Sequence, residues 1–248
     1  RVSFLHDKSL QLCAWFPPGR GYLCRVTLWL NRRGRRLVQG FVLADEISVG
    51  SLFGATEEDA KKKNKLNSFY DFISCAKFLK KENISGNISI HGGSAGGLLI
   101  GASLNISPDT FHCAVAEVPF VDVLNTILDD TLPLTPPEWE EWGNPIKNKS
   151  DFDYIRSYSP YDNIKKQSYP AILATSGLTD PRVTYWEATK WIAKLRSKKI
   201  DDNPIFLKTY TEAGHGGMAG RYNQIKEVAF IYAFILWRNN LIKRSIPR

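Results

Sequence analysis

Ser94 stands inside Gly92-Gly93-Ser94-Ala95-Gly96-Gly97-Leu98, directly after the strand-like run Asn87-Ile88-Ser89-Ile90-His91 and before an apolar stretch. G-x-S-x-G on a sharp strand-to-helix turn lifts a serine hydroxyl clear of a sheet, where it can act as a nucleophile. The glycines are needed because the serine backbone is strained and neighbouring chain passes too close for a Cβ. Such a turn also points the amide of Ala95 at the oxyanion that forms when serine attacks a carbonyl. The chemistry is acyl transfer through a covalent serine intermediate.

A serine hydroxyl is a poor nucleophile at neutral pH and needs a base beside it. Of the four histidines, His6 lies near the N-terminus, His91 ends the strand before the turn, and His112 precedes a short buried strand. His215 sits in Glu212-Ala-Gly-His-Gly-Gly217, a glycine-rich loop after the last predicted strand, and is the candidate base. A third group must orient that imidazole and stabilise its charged form. Asp180, in Ser176-Gly-Leu-Thr-Asp180-Pro-Arg182, follows the predicted strand Ala171–Thr175, whereas Asp201 and Asp202 precede the wrong strand. The order Ser94, Asp180, His215 is that of the α/β-hydrolases.

The elements that must position these groups are legible from about Lys61 onward. Ser68–Lys81 reads as a helix, with Phe69, Phe72, Ile73, Ala76 and Leu79 at helical spacing. Cys113–Glu117 is a short buried strand closed by Pro119, and residues 130–165 read as a long excursion over the rim of the sheet. Strand Ala171–Thr175, helix Thr184–Lys199, strand Ile205–Thr209 and a final helix over Gln224–Leu241 follow. This alternation predicts a mostly parallel sheet with helices on both faces, with the chemistry on the loops that follow the strands. Residues 1–60 fit less well: Val26–Leu30 and Phe41–Ala44 are candidate strands, interrupted by Asn31-Arg-Arg-Gly-Arg-Arg36.

Composition narrows the class. With 248 residues, 43% hydrophobic and 12% aromatic, the chain can bury one large core. No apolar run approaches the length of a membrane span. Four cysteines without metal spacing read as free thiols in the cytoplasm. The net charge of +8 is concentrated in residues 1–40, where eight Lys/Arg face Asp7 alone, so it is not a basic stripe for nucleic acid. The chain opens Arg1-Val-Ser-Phe with neither Met nor a signal-peptide profile, and the expectation is a fragment or a processed product.

Beyond single motifs, residues 61–240 resemble the catalytic domain of the oligopeptidase B type, within the prolyl oligopeptidase family of serine peptidases. The matching stretches are Lys61–Asn67, Gly92–Leu98, Ala116–Asp122, Glu140–Pro145, Ser157–Asn163, Gly177–Val183 and Gly214–Gly217. The resemblance implies an α/β-hydrolase core over 61–248, behind a divergent part over 1–60. It further implies cleavage of short peptides after Arg or Lys without metal or cofactor. It places the acidic pocket for a basic side chain on Glu138 and Glu140. Those carboxylates, with Glu141, stand beside Trp139 and Trp142, a composition suited to a guanidinium and its alkyl stem.

Two family features are absent from the sequence. The relatives carry a β-propeller ahead of the catalytic domain, which this chain is too short to hold, so a separately encoded propeller is a candidate partner. They also carry an early tyrosine that completes the oxyanion hole; here Leu12–Arg20 lacks it, and Tyr22 is the nearest replacement. The run after Gly40–Ala44 departs as well, reading Asp45-Glu-Ile-Ser-Val-Gly50. The alternatives to a basic-specific peptidase are a noncatalytic remnant that keeps the triad letters and an esterase without preference for basic residues.

Overall fold

The computed structural model describes residues 11–13, 24–29, 39–44, 61–83 and 85–242. Seven strands form one sheet in chain order: β1 (Gln11–Cys13), β2 (Cys24–Trp29), β3 (Gln39–Ala44), β4 (Ile88–Gly93), β5 (Cys113–Glu117), β6 (Ala171–Gly177) and β7 (Ile205–Tyr210). The first two pairings are antiparallel, and every pairing from β3 to β7 is parallel. The early candidate strands therefore join the sheet: β3 lies beside the serine's own strand, with Val42 opposite Ile90 and Ala44 opposite Gly92. The strand β1 had no signal in the sequence.

Seven α-helices accompany the sheet among the described residues: α1 (Leu66–Lys81), α2 (Ala95–Ile106), α3 (Val123–Ile127), α4 (Thr135–Trp142), α5 (Lys149–Tyr158), α6 (Tyr185–Lys198) and α7 (Arg221–Arg238). The predicted apolar stripe of α1 is its buried face. The alternation of β5 shows why helices are needed on both sides. Ala114 and Ala116 join the larger core with residues of α1, α2 and α6, while Cys113 and Val115 pack with Ile231, Phe234 and Ile235 of α7.

The excursion over residues 130–165 contains two helices, α4 and α5, for which no bounds were read from the sequence. Pro136 and Pro137 read as loop signals but occupy the first turn of α4, where no intrahelical N–H is required. The start of α5 is capped by Asn148, whose side chain accepts from Ser150 N at 2.9 Å.

Candidate active site

Ser94 sits between β4 and α2 with φ 52° and ψ −121°, a backbone that L-residues avoid unless neighbours enforce it. The enforcement is visible. Ser94 N donates to Glu117 O at 2.9 Å, and Ser94 O accepts from Gly97 N and Phe120 N, both at 2.9 Å. The loop after β5 comes so close that a Cβ on Gly97 would meet Pro119 Cβ at 2.4 Å and Cα at 2.5 Å. Ala95 opens α2, so its N–H has no helical carbonyl to bond.

The loops after β6 and β7 are stitched together. Leu178 N donates to Tyr210 O at 2.9 Å, and Thr179 Oγ1 donates to Ala213 O at 2.9 Å. Gly177 permits the approach: a Cβ there would lie 2.5 Å from Ala213 O and 2.6 Å from Gly214 O. The result is an Asp180 Oδ2 to His215 Nδ1 contact of 2.8 Å, with the carboxylate side chain 0% exposed. Asp180 Oδ1 accepts from Arg182 N at 2.8 Å and Val183 N at 3.1 Å, which fixes the carboxylate from its other end. With Nδ1 donating to Asp180, Nε2 is left as the acceptor that a general base requires.

Ser94 and His215 line one cavity of about 530 Å³, together with Glu117, Arg182 and Tyr210. Among the described residues no hydrogen bond joins the hydroxyl to the imidazole. The other described histidines have structural partners: His91 Nε2 meets the Glu117 carboxylate, and His112 Nε2 meets Arg238 O at 2.7 Å. Tyr22 and Asp45–Gly50 lie outside the described residues. No group of three or more His, Cys, Asp or Glu among the described residues is placed to hold a metal ion.

Glu138 and Glu140 both lie on α4 and neither lines this cavity. Glu140 is 90% exposed and paired with Lys62 at 3.1 Å. Glu141 is paired with buried Lys65, whose Nζ also lies 4.7 Å from the Trp142 ring centre. Glu138 is different. It is half-buried, accepts from Trp142 Nε1 at 2.9 Å, and has no paired cation among the described residues. Burial pushes its carboxyl above the usual glutamate value; the Trp142 bond opposes that rise and the charge of Glu141 adds to it. Glu138 is also tied to the serine turn: the Trp142 ring lies 5.5 Å from that of Phe120, whose N–H holds Ser94 O.

Sequence reasoning missed two supports. Glu227 of α7 accepts from Met218 N at 3.0 Å and so braces the His215 loop. Glu187 of α6 is buried against the loop after β5. Neither had a local signal, because each acts across the fold.

A sequence profile described as the Prolyl oligopeptidase family matches residues 50–240. Protease 2 of Moraxella lacunata is 50% identical over 181 residues, covering 72% of this chain and 26% of that protein. Oligopeptidase B from Leishmania major superposes with a TM-score of 0.73 at 44% identity, covering 78% of this chain and 28% of that one. Oligopeptidase B from Trypanosoma brucei, solved with covalently bound antipain, gives 0.73 at 47% identity over 77% and 27% of the two chains. The chain therefore spans about a quarter of the length of these relatives, and the shared fold is that of an α/β-hydrolase.

Proposed function

From the premise that the chain belongs to the Prolyl oligopeptidase family, we propose that it is a serine peptidase domain cleaving short peptides after Arg or Lys through Ser94, Asp180 and His215. The observation that carries this reading is the 2.8 Å Asp180–His215 pair, whose imidazole lines the cavity that also holds Ser94 on its strained turn. His215 Nε2 takes the proton as Ser94 Oγ attacks the scissile carbonyl, and the Ala95 N–H receives the oxyanion. His215 then protonates the leaving amine as the C–N bond breaks. Water, activated by the same imidazole, cleaves the acyl-enzyme and frees the serine.

For the basic side chain, Glu138 is the carboxylate of choice. Its half-burial, its single tryptophan donor and the pairing of Glu140 and Glu141 to lysines leave it to meet a substrate cation. Glu140 contributes charge from the exposed face of the same helix. The short coverage of longer relatives supports a propeller as partner and size filter. Unpaired Cys75 and Cys113 support a reducing compartment, which we take to be the cytoplasm. Among the described residues no helix is long and apolar enough to cross a membrane.

The test is fluorophosphonate labelling of the chain beside Ser94→Ala, followed by hydrolysis of Arg-containing and uncharged substrates by wild type and Glu138→Gln. Labelling lost in Ser94→Ala and an Arg preference lost in Glu138→Gln are expected. A cooperatively folded chain that takes no label would instead be a noncatalytic remnant, and equal turnover of uncharged esters would mark an esterase.

A further inference from the structure

Glu187 is 0% exposed, yet no catalytic step uses it. A buried carboxylate is costly unless its oxygens are fully bonded. Here they are: Oε2 accepts from Val121 N at 2.9 Å and Asp122 N at 2.8 Å, and Oε1 accepts from Thr126 Oγ1 at 2.7 Å. These donors belong to the loop and short helix that run from β5 toward α4. Thr126 O in turn accepts from Thr135 Oγ1 at 2.8 Å, and Ile127 O from Trp139 Nε1 at 3.4 Å. Thr135 and Trp139 are residues of α4, the helix that carries Glu138.

We infer that Glu187 is a positioning residue for substrate selection: it anchors Thr126, on which α4 and its Glu138 carboxylate are hung. The serine turn does not depend on this anchor to the same degree. Its bond from Phe120 N adjoins the anchored Val121, but it keeps its own bonds to Glu117 and Gly97 and its close contact with Pro119. Loss of Glu187 should therefore loosen the pocket for the basic side chain while sparing the nucleophile. The kinetic part rests on the reading of Glu138 as the substrate carboxylate; the structural part does not.

The experiment compares Glu187→Ala, Glu187→Gln and Thr126→Val in the full chain by amide hydrogen exchange and kinetics. Thr126→Val cuts only the bond to Oε1 and decides the matter if Glu187→Ala does not fold. Exchange across α4 is expected to rise about tenfold in Glu187→Ala and Thr126→Val, with α2 within about twofold of wild type. KM for an Arg peptide should rise about tenfold while kcat and fluorophosphonate labelling change little. Glu187→Gln should rescue both, since its carbonyl can take the two backbone donors and its amide can bond the Thr126 hydroxyl. Unchanged exchange in α4, or an equal rise in α4 and α2, would overturn the inference. A wild type that labels but shows no Arg preference would sink the proposed specificity and leave the exchange result to judge the anchor.

Discussion

The backbone N–H of Phe120 donates to the carbonyl oxygen of Ser94 at 2.9 Å. One peptide group thus fixes the strained nucleophile, while the ring on the same residue lies 5.5 Å from Trp142, the hydrogen-bond donor to Glu138. The turn proposed to perform the attack and the helix proposed to select the substrate share this residue as their hinge point.

Gly97 is where that arrangement is most exposed to disruption. Alanine would gain about 1 kcal/mol of helix propensity in α2. Its Cβ, however, would meet the Pro119 backbone at 2.5 Å, and overpacking of this kind costs about 1–3 kcal/mol. Gly97→Ala is expected to lower the urea midpoint and slow labelling of Ser94, because Phe120 must move with Pro119.

Asp180 offers a separate test of the base. Asp180→Asn keeps the size of the side chain, but its amide can favour the tautomer that places the His215 proton on Nε2. By analogy with other triads, kcat should fall about 10⁴-fold. Steady-state turnover at saturating substrate checks this, with unfolding curves to show that the fold is retained.

The raised pKa of Glu138 predicts how selectivity follows pH. The carboxylate must be ionised to hold a guanidinium, so the ratio of kcat/KM for Arg over uncharged substrates should fall as the medium is acidified through that raised value. The fall should begin at a higher pH than for an ordinary glutamate. Glu138→Gln is expected to lose about 10–100-fold in that ratio, following the strength of a hydrogen bond to a charged group, and to show no such slope.

Glu187 sets a pH dependence of stability with the opposite sense to the usual carboxylate. Burial pushes it from 4.5 up to about 7, against the bonds from Asp122 N, Thr126 and Val121 N and with the charge of Asp122 adding to the rise. Its folded value is above its unfolded one, so its contribution to stability is complete below about 4.5 and is lost as pH rises through about 7. Unfolding free energies of wild type and Glu187→Gln should diverge over that window by on the order of a few kcal/mol.

The proposed triad was legible because each candidate is announced locally: glycines around Ser94, a short loop after a strand for Asp180, and glycines around His215. The core strands and α1 were legible from apolar runs and helical spacing. What was hidden depends on contacts between distant segments. The bounds of α4 and α5 were obscured by prolines and polar residues within the excursion. Likewise, nothing near Glu187 in the chain shows that it will bond Val121, Asp122 and Thr126. The same holds for Glu140, whose composition resembles that of Glu138 but whose partner, Lys62, is set by the fold.

Among the described strands, β7 is hydrogen-bonded on one side only, to β6, whereas the strand before Ser94 is held between two neighbours. The proposed base is therefore carried by the margin of the sheet and the proposed nucleophile by its interior. Marginal elements open ahead of the cooperative whole. Warming should silence the enzyme at a temperature where far-ultraviolet ellipticity is still native, and cooling from that point should restore turnover at once. On that reading, catalytic competence in this chain would be lost before foldedness.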